Sequence, residues 1–442
     1  MFRRNRYWKK PAKQAAEGGQ ALGRPVDAMK RIAISDDIVY AIAGRVFHPK
    51  GTVMFKRSAL ALLVTAGLSG IAAAEVGVSD TEIKLGMVNA QSGPASGLGK
   101  GMLAGAQAVF NEVNAKGGIH GRKIKLVVGD DGYEPEKTID ATLKMIDDEK
   151  VFALFGYVGT PTANAAIPIV KEMKVPLLGA FTGAMTLREP VTREIFNLRA
   201  SYDDEAEALV ERFTKGFGAK KIAVFYQDDG FGLAVLSGTE KALKRRGMDV
   251  AAKATFARNT VAVKTGLAAL LAAAPDAVVM VGPYTPIAAF IKEARVAGLK
   301  AQLATVSFVG TDNLVELVQA EGENVLISQV VPLPDDVSLP ATKECAELVA
   351  KHSAGVKLGF VNFEGCLTAK LMVQALQAAG KGVSRDLLIQ QLEAMKDLDM
   401  GGIRLKISTD NHQAMRQVYV TQIKGGKVVA LQGGAASVVS LK

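Results

Sequence analysis

From Glu82 onwards the chain repeats one pattern of apolar and polar positions. A short β-branched run is followed by a Gly-rich or polar turn, and then by a stretch with apolar residues at helical spacing. The first unit predicts a strand over 82–88 and a helix over 100–114. Further strands are predicted over 124–128, 152–155, 175–178, 221–226, 277–281 and 303–306, and further helices near 136–148, 162–173, 230–246, 261–272 and 285–297.

This alternation predicts the fold class. Strands that alternate with helices at such spacing form parallel sheets with helices on both faces. Because there are too many units for one sheet of ordinary size, we expect an α/β fold with two Rossmann-like lobes. After Val331 the pattern changes, and prolines at 332, 334 and 340 favour an extended crossover. Helices near 341–352 and 360–379 and a hairpin over 417–429 follow.

The crossover suggests that each lobe is built from separate parts of the chain. We expect one lobe to combine residues 76–200 with 332–406, and the other to combine 201–331 with 407–442, joined by hinge crossovers.

An apolar stretch near the N-terminus indicates export. Ser58–Ala74 follows the basic segment Met54–Arg57 and ends in small residues, which is the layout of a secretory signal peptide over 54–74. We expect cleavage near Ala74 and a periplasmic mature protein. A membrane anchor is the alternative, although the stretch is short for a hydrocarbon core of about 30 Å. Residues 1–53 then read as an over-extended gene start, or as a genuine basic tail.

Charge and cysteine content narrow the class of protein. The net charge of +10 comes almost entirely from residues 1–74, and the remaining residues carry 41 basic and 40 acidic side chains. A basic face for nucleic acid therefore loses its support. Cys345 and Cys366 could pair in an oxidising compartment, or each could be a buried apolar residue. The four histidines are scattered, so no metal site and no cofactor are expected.

Three loops at the predicted carboxyl ends of strands could bind a ligand. Asn89–Gly101 is Gly-rich but fits neither nucleotide motif, so it is a tight turn or a ligand-facing loop. Gly159–Thr162 places hydroxyls and a proline at a helix start, which suits a small carboxylate or an ordinary Thr cap. Phe181–Ala184 follows the next strand in the same way, so the last two loops should converge.

Enzyme signatures are missing from the sequence. No G-x-S-x-G, H-E-x-x-H or Walker motif occurs. Adjacent acids such as Asp130–Asp131, Asp203–Asp204 and Asp228–Asp229 are expected in turns and helix caps. We therefore expect no catalytic residues.

Several local strings in this order resemble the periplasmic leucine/isoleucine/valine-binding proteins, the type I substrate receptors of ABC importers. The most specific are Ile83–Gly86 with Ser92–Pro94, Asn114–Ile119, Asp130–Asp131 and Ala294–Leu299. The resemblance covers about Ile83 to Val429. It implies a monomeric, two-lobed receptor that closes on its ligand and then docks on an inner-membrane permease.

The resemblance also assigns ligand-binding positions in the cleft between the lobes. These are Thr160 supported by Thr162, then Phe181, Thr182 and Gly183, the entry residue Tyr202, the aromatic residues Phe231 and Tyr284, and Ser307. At the position of Gly183, the amino-acid binders usually have Ser or Thr. Ser307 departs further, because those proteins place an acid there to hold the α-ammonium. A neutral serine cannot replace that charge, although Asp203 could enter the cleft and do so.

The resemblance therefore implies a small carboxylate ligand, either like a branched-chain amino acid or an aliphatic or aromatic acid that lacks an amine. A ligand-sensing module for a signalling receptor is an alternative function. A secreted hydrolase is a weaker one, since no nucleophile with an activating base is found.

Overall fold

Two sheets organise the computed structural model, which describes residues 75–431. The first sheet is parallel throughout and has the strand order β2-β1-β3-β4-β5. Its strands are β1 (Glu82–Asn89), β2 (Lys123–Asp130), β3 (Ala153–Phe155), β4 (Leu177–Leu178) and β5 (Ile195–Phe196). The predicted signal peptide and residues 1–53 lie outside the described residues.

The second sheet has seven strands in the order β14-β13-β10-β9-β8-β6-β7. Its parallel strands are β6 (Ile222–Gln227), β7 (Lys253–Phe256), β8 (Ala277–Val281), β9 (Gln302–Thr305) and β10 (Leu326–Gln329). The hairpin of β13 (Tyr419–Lys424) and β14 (Lys427–Ala430) adds antiparallel to β10. A small pair, β11 (Leu398–Asp399) and β12 (Arg404–Leu405), stands apart.

Eleven α-helices cover these sheets within residues 75–431. They are α1 (Ser96–Ala115), α2 (Pro135–Asp147), α3 (Thr160–Met173), α4 (Tyr202–Glu211), α5 (Gly230–Lys244), α6 (Lys264–Ala273), α7 (Tyr284–Val296), α8 (Thr311–Val318), α9 (Pro340–His352), α10 (Phe360–Ala379) and α11 (Arg385–Glu393). None of them is both long enough and apolar enough to cross a membrane.

After β10 the chain packs against elements around the first sheet. Helix α10 packs on α1, where a Cβ on Gly105 would lie 1.8 Å from the carbonyl oxygen of Asn362, so the two backbones touch. Apolar residues of β1, such as Leu85 and Met87, are buried in the same core as these helices. A disulfide joins Cys345 of α9 to Cys366 of α10, which settles the question that the sequence left open.

The two α/β lobes expected from the repeated pattern are present, but the pattern missed several elements. These are β5, β7, β10, β11, β12, α4, α8 and α11. Helix α1 also begins at Ser96, four residues before the predicted start. The residue ranges assigned to each lobe stay a prediction. Close to the proposed hinge, Asn197 and Leu198 exchange backbone hydrogen bonds with residues 412–415.

Candidate functional site

The two threonine loops converge at the carboxyl edge of the first sheet. Strands β3 and β4 are parallel neighbours, so the chain leaves both at the same edge. The amide of Phe181 donates to the carbonyl of Tyr157 at 2.6 Å, and the amide of Gly159 donates to the carbonyl of Phe181 at 3.2 Å. As a result, Oγ1 of Thr160 lies 2.7 Å from Oγ1 of Thr182, and both side chains are buried.

Helix α3 begins at Thr160, with Pro161 in its first turn. Gly159 precedes it with φ of +106°, and a Cβ there would lie 2.2 Å from the ring of Tyr133. The backbone can therefore turn sharply into the helix only because residue 159 lacks a side chain. The positive end of the helix dipole then faces the paired hydroxyls, an arrangement that favours an anion.

An aromatic cluster lies beside the threonines and joins the two lobes. Its centre is Phe308, whose ring centroid is 4.5 Å from that of Phe231, 5.5 Å from that of Phe181 and 6.0 Å from that of Tyr133. Tyr202 extends the cluster, 5.3 Å from Phe231. All five side chains are buried. Phe308 and Tyr133 were not predicted, although Phe308 directly follows the predicted Ser307.

Gly183 is explained by its neighbour Tyr202. A Cβ on Gly183 would lie 2.6 Å from both the backbone nitrogen and Cδ1 of Tyr202. The amide of Tyr202 also donates to the carbonyl of Gly183 at 2.7 Å. The Ser or Thr of the amino-acid binders would therefore collide with the start of α4, so the glycine is a packing requirement.

Two of the predicted positions do not join this cluster. The Thr162 hydroxyl donates to the carbonyls of Val158 and Gly159 within its own turn, so it is already engaged. The Tyr284 hydroxyl lies at the edge, where it accepts a hydrogen bond from the amide of Gly97 at 2.9 Å. The Gly-rich loop Asn89–Gly101 is thereby attached to the second lobe.

Further contacts hold the lobes together beside the cleft. The Gln227 side-chain amide donates to the Tyr133 hydroxyl at 3.2 Å. Across the same opening, Arg258 and Asn259 bind the carboxylate of Glu134 at 2.9 and 2.6 Å. The two lobes therefore meet in a closed arrangement.

Ser307 does have a carboxylate beside it, supplied by Glu205. The amide and hydroxyl of Ser307 donate to that carboxylate at 2.8 and 3.0 Å, and the Ser328 hydroxyl donates to it at 2.6 Å. Arg199 Nη2 completes the set at 3.2 Å and also donates to the Ser307 hydroxyl. Glu205 is therefore an internal ion-pair partner with its oxygens already engaged.

Asp203, which we considered as a replacement acid, does not enter the cleft. Its carboxylate binds Lys241 at 2.8 Å on the protein surface. On helix α4, Tyr202 and Glu205 are three residues apart and share a face, whereas Asp203 points to another side. The other acid pairs act as expected in turns and caps, as when Asp229 accepts from the amide of Phe231.

Arg199 is a buried cation beside the aromatic cluster. Its guanidinium carbon lies 4.6 Å from the centroid of the Phe181 ring, and its Nη1 lies 3.7 Å from Glu364. Burial lowers the pKa of Arg199, but Glu364 and Glu205 outweigh that effect and hold it above its ordinary value. Burial raises the pKa of Glu364 to about 7, although Arg199 opposes the rise.

Arg188 fixes the second threonine loop from behind. Its Nη2 donates to the carbonyls of Thr182 and Arg199 at 3.2 and 3.0 Å, and its Nη1 donates to that of Ala184 at 2.9 Å. Burial lowers its pKa to about 10. Arg188 therefore holds the loop in place through carbonyl contacts, while the Thr182 hydroxyl pairs with that of Thr160 and accepts from the amide of Ala184 at 3.2 Å.

This site has the parts of a small-molecule pocket: paired hydroxyls at a helix start, a buried aromatic wall and a buried charge. A family model described as periplasmic binding protein matches residues 82–427. The chain belongs to the periplasmic binding protein family.

Within residues 75–431, no group of three or more His, Cys, Asp or Glu side chains is placed to hold a metal ion.

The similar proteins align with this chain over nearly their whole length. A protein of Brucella suis biovar 1 (strain 1330), named Leu/Ile/Val-binding protein homolog 7, is 27% identical over 402 residues, which cover 87% of this chain and 98% of the relative. The crystal structure of a possible leucine/isoleucine/valine-binding protein from Rhodopirellula baltica SH 1 has 34% identity and a TM-score of 0.77. It covers 83% of this chain and 100% of its own.

A substrate-binding periplasmic protein from Ralstonia solanacearum is also similar, with 27% identity and a TM-score of 0.75 over 79% of this chain and 99% of its own. The family expected from the sequence motifs is thus confirmed, and so is the type I two-lobed fold with parallel sheets. Members of this family are substrate-binding receptors rather than enzymes.

Proposed function

We propose that this chain is the extracytoplasmic receptor of an ABC importer, and that it binds a small carboxylate in the cleft between its lobes. The observation that carries the proposal is the pairing of Thr160 and Thr182 at 2.7 Å beside the start of α3. The remaining hydroxyl proton of this pair and the amides of a helix start match the acceptor oxygens of a carboxylate. The aromatic cluster around Phe308 matches an apolar body.

Leu/Ile/Val-binding relatives support a branched aliphatic body for this ligand. A phenyl group is equally compatible with a wall of aromatic rings, because offset and edge-to-face contacts stabilise such pairs. The proposed ligand therefore has a carboxylate in every case, and its apolar part is either branched aliphatic or aromatic.

Binding and lobe closure are coupled in this proposal. The ligand bridges hydroxyls of the first lobe and aromatic rings of the second, so it makes more contacts when the lobes are closed. To move an open:closed ratio from 99:1 to 1:99, the ligand must bind the closed form better by about 5.5 kcal/mol. The closed receptor then docks as a monomer on a permease in the inner membrane, whose ATPase is a separate chain.

Export is part of the same proposal. The receptor reaches the periplasm through the signal peptide at 54–74 and begins near Glu75 after cleavage. Intact-mass measurement of the exported protein checks the start, and recovery of residues 1–53 on it would contradict cleavage.

A thermal-shift screen tests the proposed function. Amino acids, aliphatic acids and aromatic acids are added separately to the purified protein. A ligand at a hundred times its Kd stabilises the folded state by about 2.7 kcal/mol, which is a clear rise in melting temperature. We expect at least one small carboxylate to produce this rise. If uncharged solutes alone stabilise the protein, the carboxylate assignment is wrong.

A further inference from the structure

Arg199 has donor groups that the protein does not engage. Its side chain is fully buried, yet Nε and Nη1 have no hydrogen-bond partner among residues 75–431. The buried Tyr202 hydroxyl also makes no hydrogen bond of good geometry, although the Thr182 side chain lies close enough to oppose the rise that burial causes in its pKa. The guanidinium carbon lies 4.6 Å from the Phe181 ring centroid and 6.0 Å from that of Tyr202. Unpaired buried donors are costly, so a partner that supplies acceptor oxygens would be strongly favoured here.

The acids near Arg199 cannot fill that role completely. Glu205 binds Nη2 and receives three further hydrogen bonds from Ser307 and Ser328. Glu364 is 3.7 Å from Nη1, which is close enough for attraction but too long for a hydrogen bond. The face formed by Nε and Nη1 is thus left for another acceptor.

The same arrangement is unfavourable for an ammonium group. Ser307 carries no charge, and the Glu205 carboxylate beside it is paired with Arg199. An α-ammonium placed there would be repelled by the guanidinium charge, and Glu205, the carboxylate beside Ser307, has its oxygens engaged already. A buried charge without a counter-charge is expensive.

We propose that the ligand is an organic acid without an amine, and that Arg199 holds its carboxylate through Nε and Nη1 while the threonine pair and Tyr202 add hydroxyl donors. Guanidinium and carboxylate match in a planar, two-bond geometry. This inference rests on the proposed function and adds the ligand class and its charged anchor. A branched 2-oxo acid or an arylacetic acid fits the chemistry.

The test compares matched ligand pairs by calorimetry on the full chain. Leucine is compared with 4-methyl-2-oxopentanoate, and phenylalanine with phenylacetate. We expect the acid of the better-binding pair to bind at least tenfold more tightly than its amino acid. Equal or tighter binding of both amino acids would overturn the inference, and so would a thermal-shift screen in which the stabilising carboxylates are all amino acids.

A variant then tests the anchor itself. Arg199→Lys keeps the positive charge beside Glu205 but removes the planar pair of donors. We expect the tightest-binding acid from the screen to lose at least tenfold in affinity. The control is Arg295→Lys, whose side chain donates to the carbonyls of Glu321 and Glu323 at 3.2 and 3.0 Å on another part of the second lobe. It should change the Kd less than twofold.

The outcomes distinguish a failure of the proposed function from a failure of the inference about Arg199. If no small carboxylate binds at all, the proposed function fails. If carboxylates bind but Arg199→Lys folds and leaves the Kd unchanged, only this inference fails. Circular dichroism and the melting temperature establish whether the variant folds. If it does not, the comparison of acids with amino acids on the unmodified protein decides.

Discussion

The hydroxyl oxygens of Thr160 and Thr182 lie 2.7 Å apart, although 22 residues separate them in the chain. Adjacent parallel strands bring them together, because β3 and β4 end at the same edge of the sheet. One hydroxyl donates to the other, which leaves the proton of the second free to rotate towards a third group. The pair is therefore a preformed receptor for an acceptor oxygen.

Thr160→Ala tests this pair. A hydrogen bond to a charged group contributes about 1.5–3 kcal/mol, so the affinity for the carboxylate should fall roughly ten- to a hundredfold. Calorimetry measures the change. Thr214→Ala is the control, since that hydroxyl donates within its own helical turn to Val210. An unchanged Kd in the Thr160 variant would remove this residue from the site.

Gly183→Ala tests the close approach of Tyr202. The added Cβ would lie 2.6 Å from the Tyr202 backbone nitrogen, so the second threonine loop or α4 must shift. We expect a lower melting temperature and at least tenfold weaker ligand binding. Gly382→Ala is the matched control, because a Cβ there would meet no atom within 4 Å. If both variants behave alike, the packing explanation for Gly183 is wrong.

The sequence predicted those residues of the site whose position follows from the alternation of strands and helices within one lobe. The repeated strands and helices located Thr160 and Thr182 because both lie in loops that follow buried strands. Arg199 could not be found in this way, since it lies in a linking segment after the two-residue strand β5. Its role depends on Glu205, Ser307 and Glu364 from three other elements. Phe308 lies in a short turn that has no periodicity to reveal which way its ring points.

The sequence does contain one signal for Glu205. Tyr202 and Glu205 lie three residues apart in an acidic helix start, so both should face the cleft when Tyr202 does. Asp203, the other acid that could enter the cleft, binds Lys241 instead. The missed strands β7 and β10 each have only four residues, too few for alternation to stand out.

Glu364→Gln tests the charge balance around Arg199. The charged groups that act on Glu364 are Arg199, Glu205 and Arg188, and burial raises its pKa to about 7. Above that pH the ionised carboxylate competes with an anionic ligand for Arg199. Affinity for the acid should therefore fall as pH rises from 6 to 8.5, while the variant stays nearly flat. Calorimetry at several pH values measures this difference.

The same substitution has a stability signature. The pKa of Glu364 in the folded protein lies above its ordinary value of 4.5, so its stabilising contribution is complete below pH 4.5 and is lost as pH rises through about 7. Relative to the unmodified protein, the glutamine variant should gain melting temperature between pH 5.5 and 8.5. A constant difference across that range would contradict a titrating Glu364.

The disulfide should stabilise the first lobe. Cys345 and Cys366 are 21 residues apart, and closing a loop of that size contributes about 3 kcal/mol in the chain-entropy model. Urea unfolding with reductant should therefore show a lower midpoint than without it. The double variant Cys345→Ala/Cys366→Ala serves as the control, because its midpoint should not respond to reductant. A reductant-insensitive midpoint for the unmodified protein would contradict the bond.

The carboxylate itself is the central feature of the account, and calorimetry with an acid and its primary amide tests it most directly. Phenylacetate is compared with phenylacetamide, and 4-methylpentanoate with 4-methylpentanamide, on the unmodified protein. Each pair shares one apolar body and differs in the charge that Arg199 and the threonine pair would hold. We predict that at least one acid binds and that its amide binds at least tenfold more weakly; an amide that binds as tightly as its acid would contradict the account.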